Sequence, residues 1–392
     1  MPTPCKGKIL FLITEDWFFC LHRLPLARML RDQGWEIIVA TREVAHGDMI
    51  RQEGFNLLPI DWVRHSLNPL RGLMEIAKII SIYRQQQPDL IHHIAIKPCI
   101  YGGIASLFHK KTPIINNLAG LGVAFTRSGL SAGILRKGLG FAFKCLFNRT
   151  RSQTIVENPD DQAVLIEQSG VRANTITLIQ GVGVDITHFT PTPEPTGVPV
   201  ITLASRMIKP KGVEDLIAAA RILKQRTVEI HIDLLGLPDP DNPASISEHD
   251  LKQWQTEGLI RWLGHQTNMA RIWQQSNIAI LPSYYREGIP RSLLEAAACG
   301  RAIITTDIPG CRELVSSGNN GLLVPTHSPI AIANAIEKLI AEPDTRKKMG
   351  ENGRHTVEQL FSEKQVLIQM QAVYAQLLGE HWTRTGHSTH GR

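Results

Sequence analysis

The sequence predicts an α/β protein made of two doubly wound, parallel-sheet domains. Three observations predict it. Short apolar runs alternate with amphipathic segments along nearly the whole chain, the order that a parallel sheet with crossover helices requires. A Pro-rich stretch, Thr190-Pro191-Thr192-Pro193-Glu194-Pro195-Thr196-Gly197, interrupts that alternation near the middle and reads as a linker. The chain has 392 residues, 43% of them hydrophobic, enough for two buried cores.

The first strand is Lys8–Ile13, a continuous apolar run of the kind buried on both faces. Thr14-Glu15-Asp16-Trp17-Phe18-Phe19 follows it, where a dinucleotide-binding protein would show Gly-x-Gly-x-x-Gly; that class is excluded. Trp17–Arg23 then reads as a strand-end loop that runs into a helix over Leu21–Leu30, ended before Gly34. Strands at Trp35–Ala40, Phe55–Pro59, Asp89–His92 and Pro113–Asn117 alternate with helices near 69–86 and 98–108. Gln153–Asn158 resumes the sheet, and Gln180-Gly181-Val182-Gly183-Val184-Asp185 makes a glycine-rich turn. The second half reopens with Val200–Ala204 and a helix at 213–223. Strands ending at Leu263, at Ile278–Leu281, Ala302–Thr305 and Leu322–Val324 follow, then helices near 328–341, 343–358 and 363–379. The expected divisions are 1–192, 193–362, a final helix at 363–380 and a polar, disordered tail at 381–392 whose three histidines read as loose rather than metal-binding.

A formal charge of +6 and a pI near 9.0 point to anionic partners: a nucleotide diphosphate, a membrane surface or nucleic acid. Basic residues interleave with aromatics only at 127–151, which has six cations and no acid and matches no nucleic-acid reader, so nucleic acid is not expected. That segment reads either as a helix lying on an anionic membrane or as a covering helix with a solvated basic face. The six cysteines form no Cys-x-x-Cys pair and read as reduced thiols of a cytosolic protein without zinc. The opening residues lead straight into a strand without a leader, and no apolar run of about 18 residues occurs. The expected location is the cytoplasm, with peripheral attachment to the inner face of the plasma membrane.

Ligands of doubly wound sheets gather beyond the carboxyl ends of the strands. There, Tyr284–Gly300 is the most informative stretch. Pro290 fits the first turn of a helix and Gly300 its stop, which puts Glu287 in the loop before it and Glu295 inside it. The amides around Gly288, Ile289, Arg291 and Ser292 then point out of a helix N-terminus, where an anion is favoured. Two acids bracketing a phosphate-sized, amide-lined pocket suit a nucleotide sugar; alternatively both glutamates merely face water. Arg206 and Lys211, five apart around the turn after Val200–Ala204, can converge on one anion as a planar fork and a point charge, the profile of a diphosphate clamp.

The Glu287-x7-Glu295 spacing, the run Ala296-Ala297-Ala298-Cys299-Gly300 before a strand, and the Arg206-x4-Lys211-Gly212 turn together resemble retaining glycosyltransferases of family four. The chain is similar above all to the branch that builds bacterial surface or lipid-linked glycans. The resemblance spans essentially the whole chain. It implies a GT-B fold, two Rossmann-like doubly wound parallel-sheet domains facing a central cleft, with the donor held in the C-terminal half and the acceptor in the N-terminal half. Arg206 and Lys211 would neutralise the leaving diphosphate, Glu295 would bind ribose hydroxyls, Glu287 the transferred sugar, and the loop at His265 the base, usually uracil. His22, Arg23, His93, Lys97, Asn117, Gly120 and Gly122 are the matching strand-end groups of the first half, with His92, His93 and Lys97 open to either a site role or packing. Relatives carry a histidine where this chain has Ala119, which leaves His93, Asn117 or a backbone amide to replace it. No Asp-x-Asp with metal-holding context occurs, so cations take the place of a metal and no cofactor is expected. The implied partners are a nucleotide-sugar donor, UDP-linked, and a polyprenyl-diphosphate-linked glycan. The alternatives are a nucleotide-sugar epimerase of the same fold, for which no acid/base dyad is found, a phosphorylase, for which no pyridoxal-binding lysine context is found, and a non-catalytic nucleotide-sugar-binding protein.

Overall fold

The computed structural model describes residues 5–62, 68–121, 130–285 and 288–383. The chain packs as two units: Met1–Ile179 with Leu367–Arg392, and Gln180–Val366. The division falls ahead of the Pro-rich stretch, which belongs wholly to the second unit. Side chains explain why it is no loose linker. Glu194 is buried against Arg346 at 2.6 Å, and the Thr192 carbonyl accepts from Arg301 Nη2 at 2.7 Å.

Among the described residues, the first unit's sheet has seven parallel strands: β1 (Gly7–Glu15), β2 (Trp35–Arg42), β3 (Asn56–Pro59), β4 (Leu90–Ile94), β5 (Ile114–Leu118), β6 (Ser152–Val156) and β7 (Ile176–Leu178), in the order β3-β2-β1-β4-β5-β6-β7. Its helices are α1 (Asp16–His22), α2 (Leu24–Asp32), α3 (Gly47–Gln52), α4 (Pro69–Gln86), α5 (Ile96–Ala105), α6 (Leu130–Phe147) and α7 (Pro159–Ala163). Ile9–Ile13 is buried throughout, which is why it reads as an apolar run rather than an alternating one; Leu90–Ile94 and Ile114–Leu118 are equally buried, with His92, His93, Asn116 and Asn117 among them. The loop expected at Trp17–Arg23 is helical instead. Asp16 forces that turn: Oδ1 accepts the Trp17 amide, and Oδ2 those of Val44, Ala45 and His46, at 2.7 to 3.0 Å. Burial pushes the Asp16 pKa up, but the four amides outweigh it and hold the carboxyl below its ordinary value. Phe19, buried, then packs edge-on against Phe11.

The second unit holds six strands among the described residues, β8 (Val200–Ala204), β9 (His231–Leu235), β10 (Arg261–Gly264), β11 (Ile278–Leu281), β12 (Ala302–Thr306) and β13 (Gly321–Val324), ordered β10-β9-β8-β11-β12-β13 and again parallel. Its helices are α8 (Val213–Gln225), α9 (Glu248–Thr256), α10 (Met269–Gln274), α11 (Arg291–Ala298), α12 (Cys311–Leu314), α13 (Pro329–Ala341) and α14 (Pro343–Thr356). Helix α15 (Glu363–Leu378) begins in this unit and ends in the first, where α16 (Glu380–Thr383) follows. Tyr374 Oη meets His92 Nδ1 at 2.7 Å, and Trp382 stacks on Trp35. Residues 381–383 are therefore helical rather than disordered; the remainder of the predicted tail lies outside the described residues. No helix among the described residues is long and apolar enough to cross a membrane.

Candidate active site

In each sheet one pair of neighbouring strands feeds crossovers in opposite directions, and the loops after such a pair diverge to leave a ligand crevice. In the second unit that pair is β8 and β11. The loop after β8 carries Arg206 and Lys211; the loop after β11 carries Pro282 to Pro290. Topology thus brings together two motifs about 80 residues apart in sequence.

Backbone contacts lock the two loops. The Pro210 carbonyl accepts from the Tyr284 amide and from Ser283 Oγ, both at 3.0 Å. Gly212 has φ +75°, and a Cβ there would lie 2.0 Å from the Pro282 carbonyl oxygen. Only glycine permits this approach. On the other side, a Cβ on Gly236, in the loop after β9, would lie 1.9 Å from the Ser205 carbonyl oxygen. Arg206 is exposed and its Nη1 is 2.7 Å from Asp239 Oδ2. Asp239 was not foreseen, because nothing in the sequence marks it as the partner of a residue 33 positions earlier.

Helix α11 begins at Arg291 with Pro290 as its N-cap, one residue later than the sequence reading, and no side chain caps it. The first-turn amide of Ser292 therefore has no intrahelical acceptor and no N-cap side chain to meet it. The Gly300 prediction holds: its φ is +73°, and the Gly300 and Arg301 amides close on Ala297 and Ala296. Glu295 is buried. Its Oε1 accepts from Arg291 Nε at 2.8 Å, and the Trp273 indole nitrogen lies 3.5 Å from Oε2, long for a hydrogen bond. Ile289 is buried with its Cβ facing Gly181, so the predicted glycine turn serves close packing beneath this loop. Gly288 is half-buried, and Glu287 lies outside the described residues. His265, exposed after β10, stands two strands from β8.

Tyr284, held by its amide to the Pro210 carbonyl, and His327 form an unpredicted wall. Their rings lie 4.1 Å apart, with His327 Nδ1 3.5 Å from Asp215 Oδ2. Burial raises the pKa of both Tyr284 and Asp215; Glu214 and Asp215 add to the first, while His327 opposes the second. Tyr284 lay inside the stretch read from sequence, whereas His327 has no motif around it.

In the first unit the diverging pair is β1 and β4. His93, which the sequence left open between a site role, catalytic if so, and packing, proves to be packed. It is fully buried, with Nε2 2.8 Å from Tyr83 Oη and Nδ1 2.9 Å from Asn116 Oδ1, and Asn116 Nδ2 continues to Ser152 Oγ at 3.1 Å. Burial lowers its pKa to about 4, against the partial support of Asn116. Both ring nitrogens are consumed, so it belongs to the core. Lys97 is likewise held, 2.7 Å from Glu75 and over the rings of Trp62 and Tyr101. Asn117 is buried, and its side chain faces the His92 ring, whose charged form it favours against the cost of burial. Arg23 is buried 3.6 Å from Glu157; burial depresses its pKa and Glu157 opposes that. His22 is half-buried against Phe18. Gly120 has φ +87° and is half-buried; Gly122 lies outside the described residues. Ala95, between β4 and α5, adopts φ +81° and ψ 162°, a conformation that normally demands glycine.

The profile of the group 1 glycosyl transferases matches residues 185–356, and that of the glycosyl transferase 4-like domain matches residues 8–157. The chain is 26% identical over 343 residues to N,N'-diacetylbacillosaminyl-diphospho-undecaprenol alpha-1,3-N-acetylgalactosaminyltransferase of Campylobacter jejuni, covering 84% of this chain and 88% of that one. It is 29% identical over 181 residues to the capsular polysaccharide biosynthesis glycosyltransferase CapM of Staphylococcus aureus, 46% of this chain and 47% of the relative. In fold it is similar to Anabaena HepE, solved with UDP and glucose, at a TM-score of 0.76, 22% identity and coverage of 94% and 100%. Sucrose-phosphate synthase of Thermosynechococcus elongatus gives 0.78, 21%, and coverage of 95% and 100%. With two profiles that between them reach both units, the chain belongs to the group 1 glycosyl transferases and is a glycosyltransferase of GT-B fold.

Proposed function

We propose that the chain moves a hexose or N-acetylhexosamine-type sugar, with retention at the anomeric carbon, from a UDP donor to a polyprenyl-diphosphate-linked or polysaccharide-precursor acceptor. The observation that carries the donor half is the juncture of the β8 and β11 loops. It joins two cations, an uncapped helix N-terminus and a buried carboxylate beyond one sheet end. Arg206 and Lys211 neutralise the diphosphate as the bond from the anomeric carbon to the phosphate oxygen lengthens, and the α11 amides add to that stabilisation. Glu295 accepts from the ribose hydroxyls and Glu287 from those of the sugar. The acceptor oxygen bonds the anomeric carbon on the face the phosphate leaves, and the departing phosphate takes its proton. The Campylobacter relative, whose name specifies a diphospho-undecaprenol acceptor, supports the acceptor class, and UDP in the Anabaena structure supports the donor.

The test is nucleoside diphosphate release from UDP-, GDP- and ADP-sugars, with and without polyprenyl-diphosphate-linked sugar. Release from a UDP-sugar that requires the lipid acceptor is the expected result. Release without it points to a soluble acceptor, and tight UDP binding with no release from any donor would overturn the transferase reading in favour of a binding protein.

A further inference from the structure

Helices α4, α5 and α6 lie side by side on one face of the first unit's sheet. Gly72 of α4 sits against Tyr101 of α5, and Gly103 of α5 against Leu146 of α6. Each connects the end of one strand to the start of another parallel strand of the same sheet, so each runs against the strands. Their first turns therefore lie at the carboxyl end of the sheet, the end that carries the β1 and β4 loops.

The outward faces of α4 and α6 break the usual rule for a covering helix. On α4 the inner stripe is Gly72, Glu75, Ile79, Ile82 and Tyr83, as packing demands. The outer stripe should be polar, and its second half is, with Lys78, Arg84 and Gln85 exposed. Its first half is Leu70, Leu73 and Met74, exposed by 71%, 63% and 66%. On α6, Ile134, Leu135 and Phe141 are exposed by 73%, 53% and 69%. Cations flank both sets: Arg71 and Lys78 on α4, and Arg136, Lys137 and Lys144 on α6. The one acid in these two helices is Glu75, buried and engaged by Lys97.

We infer that the outer face of α4 and α6, led by Leu70, Leu73 and Met74 of α4, is the surface by which the protein docks on an anionic lipid bilayer. Apolar side chains in solvent at one end of a helical layer, ringed by cations with no exposed acid on either helix, complement a negatively charged, apolar-cored surface. The same charge disfavours a second copy of this face, since like would meet like. The inference deepens the lipid-linked acceptor reading, on which its biological sense rests: it puts the bilayer at the end of the unit where the β1 and β4 loops gather. The contribution of α4 is separate from that of the basic segment at 127–151, because α4 carries its own apolar cluster.

The test is co-sedimentation of the full chain with vesicles of phosphatidylcholine alone and of phosphatidylcholine with phosphatidylglycerol. Native protein should favour the anionic vesicles by at least about tenfold, since each cation near such a surface is worth roughly fivefold in partitioning. Leu73→Glu with Met74→Glu should remove at least about tenfold of that binding. Ile330→Glu, at an exposed apolar residue of the second unit, should leave it unchanged. Thermal unfolding checks that the double variant folds; if it does not, Leu70→Ser carries the test. Unchanged vesicle binding in the α4 variants overturns the inference. So does a concentration-dependent dimer that they break in a protein that ignores vesicles. Transfer to a short-chain acceptor analogue free in solution is measured in parallel. If the native chain shows none while vesicle binding depends on α4, the acceptor reading fails and the docking surface stands.

Discussion

At Glu295 a buried carboxylate is oriented by Arg291 one turn earlier, so one acceptor of the proposed site is set in advance. A hydrogen bond to a charged group is worth roughly 1.5–3 kcal/mol. Glu295→Ala should therefore lower donor use about tenfold to a hundredfold, mostly through binding; unchanged steady-state kinetics would remove Glu295 from the site. Lys211 differs under the proposed mechanism, in which its partner charge grows as the diphosphate departs. Lys211→Ala should depress kcat as well as donor affinity, and a change confined to KM would count against that role. His93 makes a third case, now of stability. Its folded pKa of about 4 lies below the ordinary 6.5. The unfolded chain therefore binds the extra proton between those values, and stability must fall as pH drops through that window. The loss levels off below about pH 4 and amounts to roughly 3 kcal/mol for this residue. His92, whose pKa burial also depresses, adds loss of the same sign. Denaturant unfolding across pH should show the slope, and His93→Phe should flatten part of it.

At the scale of elements, the site depends on how closely two loops approach. Gly212→Ala would push a Cβ into the Pro282 carbonyl and strain a left-handed backbone at once. We expect a loss of about 2 kcal/mol or more, several degrees in the Tm of the second unit, together with weaker donor binding. An unchanged Tm would mean the loops separate freely. Ala95 offers the opposite experiment. Its φ and ψ belong to glycine, so Ala95→Gly should raise stability by about 1 kcal/mol despite the extra freedom of the unfolded chain. The helical layer of the first unit shows a third element-scale feature, since its outer face is apolar where solvent should make it polar.

Across the whole molecule, the first unit is discontinuous in sequence. It contains the chain from Leu367 onward, with Tyr374 on His92, Trp382 stacked on Trp35, and Lys6 Nζ bonded to the Trp382 carbonyl. Ending the chain at Val366 should leave a hydrophobic sheet face bare and an insoluble or unfolded first unit. Ending it at Thr383 should preserve native stability. Equal solubility of the two truncated proteins, measured after expression, would refute the structural role of the last helices.

The alternation of apolar runs and amphipathic segments determined two parallel sheets without help from the structure, because a strand buried on both faces is built mostly of apolar residues. The strand-end motifs proposed to hold the donor were legible for a related reason: Arg206, Lys211, Pro290 and Gly300 sit in local turns and caps, which neighbouring residues dictate. Tertiary structure alone decided everything that needs two distant segments. The Asp239 partner of Arg206, the His327 wall beside Tyr284, and the Pro-rich stretch pinned by Arg346 and Arg301 arise from strand order, which no local pattern encodes. The same holds for His93, whose sequence position is equally compatible with a site and with packing. Only the arrival of Tyr83 and Asn116 at its two nitrogens gives it to the core, since bonding both offsets the cost of burying the imidazole.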